Sequence, residues 1–158
     1  MSIQIAEELE LNRNLHAPRG RASTLYMMHF LTHATRSALD EQLKPEGISS
    51  FHYTILRVIS DNPGLSSAAL SRRFYVTPQT MGEMLIMLES KGYLDRRPNV
   101  KNQRALALHL TELGQSKTVI GDRFVEEIEA RIFANLDPAA IEAFRGTIAE
   151  ALNALRKS

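Results

Sequence analysis

Apolar side chains return at intervals of three and four in four stretches of the chain, and at intervals of two in one. Phe51, Ile55, Val58 and Ile59 mark a helix that Ser49 or Ser50 caps and that the turn Asn62, Pro63, Gly64 ends. Met81, Met84, Leu85 and Leu88 mark another, and its start is written in the residues before it. Thr77 offers a capping hydroxyl, Pro78 suits the first helical position where no amide partner is needed, and Val76 can staple onto Met81. The other side of this helix holds Gln79, Thr80, Gly82, Glu83, Ile86 and Met87. Ile120, Phe124, Ile128 and Ile132 follow a Thr111 cap in a long helix. Ile141, Phe144, Ile148, Leu152 and Leu155 follow Asp137 and Pro138 in a last one.

The remaining elements are read from length and punctuation. TLYMMHFLTHATRSALDEQLK has helical length, no internal Gly or Pro, and a stop at Pro45 and Gly47. Ser66 caps the short SAALSRRF, Leu65 is placed to staple onto Leu70, and the two-residue link YV leads into the Thr77-capped helix. Past Gly92 the helical period is lost. Tyr93 to Arg97 leads into Pro98 and a polar loop, after which ALALHL alternates, with Leu106, Leu108 and Leu110 on one face and Ala105, Ala107 and His109 on the other. The fold predicted is mainly α with a small β-hairpin: four helices, the hairpin, then two helices. It divides into an N-terminal arm and helix over 1–47, a middle unit over 48–111 and a C-terminal helical pair over 112–158.

Composition narrows the chemistry. The 158 residues, 44% apolar and 23% charged, suit one cored domain with helical extensions. Without cysteine, disulfides, thiol redox sensing and cysteine-ligated zinc are excluded. The first residues are acidic and polar, and LYMMHFLTHA is too short and polar to span a bilayer, so no membrane partner and a cytoplasmic location are expected. Net charge is only +1, but it is unevenly spread. From Ser71 to Arg104 seven basic residues face three acidic ones, while the rest of the chain carries twelve basic and fifteen acidic. One basic island sits in a slightly acidic protein.

A short helix, a tight turn, a second capped helix and a basic hairpin follow the order of a winged helix-turn-helix. The major groove of double-stranded DNA admits a helix whose first residues meet base edges, and Gln79 and Thr80 are short polar groups suited to that. Thr77 and the free amides of the first turn can reach phosphate. Ser67 and Arg73 on the preceding helix, Arg97 in the first strand, and Lys101, Asn102, Gln103 and Arg104 near the hairpin tip complete the candidate DNA contacts. Glu83 is placed to accept from cytosine or to repel nonspecific sequence.

The stretch GLSSAALSRRFYVTPQTMGEMLIMLESKGYLDRRPNVKNQRALALHLTELG resembles the core of the multiple antibiotic resistance regulator (MarR) family. The likeness rests on the GLS opening, LSRRF, VTPQT, the LE-x-KGYL-x-RR passage, the arginine after the wing tip and the closing LTELG. It implies a homodimer with interlocking terminal dimerisation helices, a winged helix in each half, and repression of a pseudo-palindromic operator relieved by a small ligand. Amphipathic end helices too long for a small winged core to cover independently support the interlocking. The chain departs from the family at Gly82 and Glu83, where a small polar residue and an arginine are common, at Ile86 and Met87, which are often charged, and at Asn102, usually an aspartate.

His29 and His33 lie four apart and so share a helix face. With Tyr26, Phe30, His52 and Tyr53 they offer flat apolar walls with donors, suited to an aromatic or acidic amphipathic effector whose acid Arg19, Arg21 or Arg36 would meet. The same spacing could ligate a metal, but no HExxH phrase follows, and histidines of this kind are most often core or interface residues. No metal and no cofactor is therefore expected. No grouping suited to catalysis stands out, so the expectation is a binding protein and not an enzyme. The alternative is a winged helix that binds another protein, which lacks the steep salt dependence of DNA binding.

Overall fold

In the computed structural model, which describes residues 24–98 and 106–156, six α-helices and two strands follow in the expected order. The arm with Arg19 and Arg21, and the wing tip with Lys101, Asn102, Gln103 and Arg104, lie outside the described residues. Helix α1 (Thr24–Leu43) runs into a 3-10 turn (Lys44–Glu46) that Gly47 ends at a positive φ of 70°. Ser49 then caps α2 (Ser50–Asp61), and the cap is reciprocal. The Ser49 hydroxyl accepts from the His52 amide, while His52 Nδ1 accepts from the Ser49 amide. Ser66 caps α3 (Ser67–Arg73) and Thr77 caps α4 (Pro78–Ser90), with Pro78 in its first turn. In the turn between them Tyr75 takes the left-handed conformation, φ 53°, and leaves its ring exposed.

The hairpin pairs β1 (Leu94–Pro98) with β2 (Leu106–Leu110) antiparallel, Leu94 opposite Leu110 and Pro98 opposite Leu106. Its free edge is used. The Gly64 amide donates to the Leu108 carbonyl at 3.0 Å and the Leu108 amide to the Leu65 carbonyl at 2.9 Å, so the turn after α2 is stitched to β2. Strict alternation does not hold in β2: Leu108 is buried as expected, but Ala107 is buried too and Leu106 is half exposed. Helices before and after the hairpin both approach β2, so a small residue is enclosed as well.

The core lies where α2, α3, α4 and the hairpin meet. Ile55, Leu56, Leu70, Met81, Leu85 and Leu88 are fully enclosed there, each such side chain contributing about 1.5–3 kcal/mol relative to exposure. Met87, placed by the periodicity on the outer side of α4, is half-buried against this core, while Ile86 stays exposed.

Helices α5 (Glu112–Ile132) and α6 (Pro138–Arg156) complete the chain. Among its aliphatic positions α5 buries only Ile128, with Ile132 exposed. Its tightly buried line is instead Gly114, Thr118 and Gly121. Small residues are required by what lies opposite. A Cβ on Gly114 would overlap the Tyr93 carbonyl, and one on Gly121 would overlap the Tyr53 ring. No described helix is long and apolar enough to cross a membrane.

Among the described residues, the first and last helices carry exposed apolar side chains. In α1, Leu25, Tyr26, Phe30 and Leu31 are exposed, as are Phe144, Ile148, Leu152 and Leu155 in α6. The close approach at Gly114 gives a direct expectation. Gly114→Ala should lower the unfolding free energy by about 3 kcal/mol, because backbone cannot give way as a side-chain tip can. Gly82→Ala, in open space within α4, should raise it by about 0.5–1 kcal/mol. Urea unfolding of both variants checks the pair.

Candidate functional site

The first turn of α4 is organised by its own side chains. Thr77 Oγ1 accepts from the Thr80 amide at 3.1 Å, and the two hydroxyls meet at 2.8 Å. One turn on, Gln79 Nε2 donates to Glu83 Oε1 at 3.2 Å. Gln79, Glu83 and Ile86 are exposed and Thr80 is half-buried. Local sequence explains the arrangement: the Thr-Pro start fixes the helix origin, and the buried stripe from Met81 to Leu88 then sets which residues face out.

Around this turn the cations are set unevenly. Arg72 and Arg73 end α3 and are exposed, and Ser67 begins it, half-buried. In β1, Arg97 is exposed but held by Asp95 at 2.9 Å, and Arg96 is drawn to Glu89 at 3.0 Å. Lys91, just past α4, donates to the Gly47 carbonyl at 2.6 Å. Helix α4 itself has neither Lys nor Arg. The candidate DNA residues Ser67, Arg73, Thr77, Gln79, Thr80 and Glu83 therefore lie on the two helices of the helix-turn-helix and Arg97 on β1. Such a layout offers polar side chains to a groove and arginines to its walls.

The seven candidate ligand residues are not gathered into one pocket within a single chain. Tyr26, His29, Phe30 and His33 lie exposed along α1, with the His29 ring 5.8 Å from Phe30 and 6.4 Å from His33 between centroids. Arg36 pairs with Asp40 at 3.8 Å and its guanidinium stands 6.0 Å from the Phe51 ring. His52 serves the α2 cap and borders a hollow of about 400 Å³ with Asp40, Lys44 and Lys91. Tyr53 is buried against Gly121, and its hydroxyl donates to Asp122 at 2.6 Å. Adjacent helical residues point about 100° apart, so His52 and Tyr53 face different neighbours.

Residue spacing gave no sign of the anchors beside these positions. Asp122 on α5 takes the Tyr53 hydroxyl and lies 3.4 Å from Arg57, which also pairs with Asp61 at 2.8 Å. Lys117 on α5 pairs with Glu46 at 2.8 Å. Burial and the Asp122 carboxylate push the Tyr53 phenol well above its usual range. Burial lowers the His52 pKa, the nearby Lys91 charge adds to this, and Asp40 opposes it.

His52 thus carries a pH dependence with a definite sign. Its neutral ring is the acceptor of the α2 cap, and the unfolded chain binds the proton more tightly than the folded one. The stability it supports is complete above the unfolded value of about 6.5 and declines as pH falls below it. Urea unfolding at a series of pH values should show the wild type losing stability below that point more steeply than His52→Gln, and NMR titration should place the His52 pKa below the unfolded value.

The geometry can be set beside known proteins. A MarR family model matches residues 48–106. The chain is similar to the HTH-type transcriptional repressor Rv2887 of Mycobacterium tuberculosis, 33% identical over 111 residues that make up 70% of this chain and 80% of that protein. The crystal structure of that protein with salicylic acid aligns at 30% identity and a TM-score of 0.63, covering 85% of this chain and 96% of the other. A crystal structure of MarR aligns with a TM-score of 0.77 at 21% identity, covering 90% of this chain and 97% of the other, which shows a shared fold.

Proposed function

This chain belongs to the MarR family, and we propose that it is a DNA-binding transcriptional repressor released from its operator by a small aromatic or acidic amphipathic ligand. The observation that carries the reading is the front of α4, where Gln79 and Glu83 stand exposed on the helix that follows directly on the arginine-bearing end of α3. The name of the mycobacterial relative, a transcriptional repressor, supports it. In this reading the protein binds and performs no catalysis, and it works in the cytoplasm.

Residues 48–111 form the DNA-binding unit, and segments 1–47 and 112–158 pair with those of a second copy. The exposed apolar stripes on α1 and α6 are the surfaces such pairing would cover. A homodimer presents two α4 helices to a pseudo-palindromic site, with half-sites about one DNA turn apart. Gln79 and Thr80 address base edges, Ser67, Arg73 and Thr77 address phosphate, and Arg97 with Lys101 to Arg104 of the wing embraces the flank.

An effector releases DNA only if it binds the DNA-incompetent spacing of the two α4 helices more tightly than the competent one. Solved complexes of the mycobacterial relative with salicylic acid and with p-aminosalicylic acid support an aromatic acid as the ligand class. Tyr26, His29, Phe30, His33 and Arg36 are exposed in one chain and adjoin the proposed dimer surface, so a second copy would complete their pocket. His52 and Tyr53, engaged within α2 and with α5, would act from behind it.

Binding to the DNA immediately upstream of the protein's own gene tests the reading. Affinity should fall steeply with salt through counterion release and should fall again on adding salicylate. Arg73→Ala should weaken binding on every sequence and lower the salt slope by about 1. Phe144→Asp with Leu152→Asp should give a monomer or aggregate without operator binding. A salt-insensitive complex, or a sedimenting monomer with full operator affinity, would count against the proposal.

A further inference from the structure

Glu83 stands out on the face of α4. An acid there is repelled by phosphate, and no Lys or Arg of α4 offsets it. It accepts from Gln79, whose Nε2 donates to Glu83 Oε1 at 3.2 Å across one helical turn. A carboxylate can only accept, so this contact fixes which end of the Gln79 amide is nitrogen and which is oxygen. Rotating the amide by half a turn would set two oxygens against each other.

The Thr77 and Thr80 hydroxyls meet at 2.8 Å, and Thr77 also takes the Thr80 amide. Gln79 is left with its Oε1 and its second amide hydrogen, an acceptor and a donor side by side. In the major groove adenine presents the complementary pair, the N6 amino donor and the N7 acceptor. Guanine presents two acceptors, N7 and O6, one of which would face Gln79 Oε1.

We propose that Glu83 is a positioning residue that locks the Gln79 amide in the orientation that reads adenine, and so sets the preferred base at one position of each half-site. This rests on the DNA-binding reading above. In water the pair is weak, but a carboxylate acceptor makes a stronger bond once the groove excludes solvent. The negative charge contributes separately by lowering affinity for all sequences. Two variants separate these effects: Glu83→Ala removes charge and partner together, whereas Glu83→Gln removes the charge and leaves a partner that can accept from or donate to Gln79, so it holds either amide orientation.

The test is selection from a randomised duplex library by the full-length protein and by Gln79→Ala, Glu83→Ala and Glu83→Gln. The wild type should enrich adenine at one position per half-site by about 5-fold or more over other bases. Gln79→Ala and Glu83→Ala should both lose that preference and keep the others, and Glu83→Gln, whose amide can also donate to Gln79 Oε1, should weaken it. Both Glu83 variants should bind nonspecific duplex more tightly. Unchanged adenine preference in Glu83→Ala would overturn the proposal, as would loss of a cytosine preference at a different position, which would make Glu83 a base reader. Full adenine preference in Glu83→Gln would show that a partner able to donate serves as well, and would overturn the locking role too. A wild type that enriched no sequence would sink the DNA-binding reading itself, an outcome distinct from these.

Discussion

Everything in the molecule turns on how closely α5 approaches the joint between α4 and the wing. Gly114 lies so near the Tyr93 carbonyl that no side chain fits between them, the Thr111 hydroxyl donates to the Gly92 carbonyl at 2.6 Å, and the Thr111 amide donates to Tyr93 at 3.2 Å. Tyr93 in turn donates from its amide to Leu88 in the last turn of α4 at 3.0 Å. A helix proposed to belong to the dimer is thereby fastened to the end of the helix proposed to read DNA.

Further along, Lys117 reaches Glu46, and Gly121 and Asp122 receive the Tyr53 ring and hydroxyl. These contacts recur about every turn of α5, so one side of it is a row of fixed points against α2 and its approach. Such a row transmits a tilt and resists bending. The wing is held from both sides as well, by Arg96 reaching Glu89 on α4 and by the Gly64 and Leu65 stitch to β2. Rotation of α5 would carry α4 and the wing together, which is what a ligand acting through helix spacing requires.

How much of this could be read from the chain depends on the range of the signal. The start of α4 was legible because Thr77, Pro78 and the stripe from Met81 are neighbours, and caps act within a turn. The long-range docking of α5 was not. Its closest approach is made by Gly114, Thr118 and Gly121, residues that carry no hydrophobic signature, whereas periodicity marked Ile128, which is buried, and Phe124, which packs partly buried on the core, together with Ile120 and Ile132. Tyr53 read as a pocket wall because nothing local announces an acceptor 69 residues away at Asp122. His52 read as a ligand candidate because a histidine in a reciprocal cap is an unusual substitute for Glu or Gln. The face of α4 was legible in composition, while the pairing of Gln79 with Glu83 needed side-chain geometry.

The uncovered stripes on α1 and α6 reach beyond architecture. When a second copy must cover such surfaces, folding and association become one equilibrium, and the folded fraction depends on how much protein is present. Copy number then enters twice, once in assembling the dimer and once in filling the operator. Dilution during cell growth would thin repression faster than in proportion to the protein lost. A chain built this way measures its own abundance as well as its ligand.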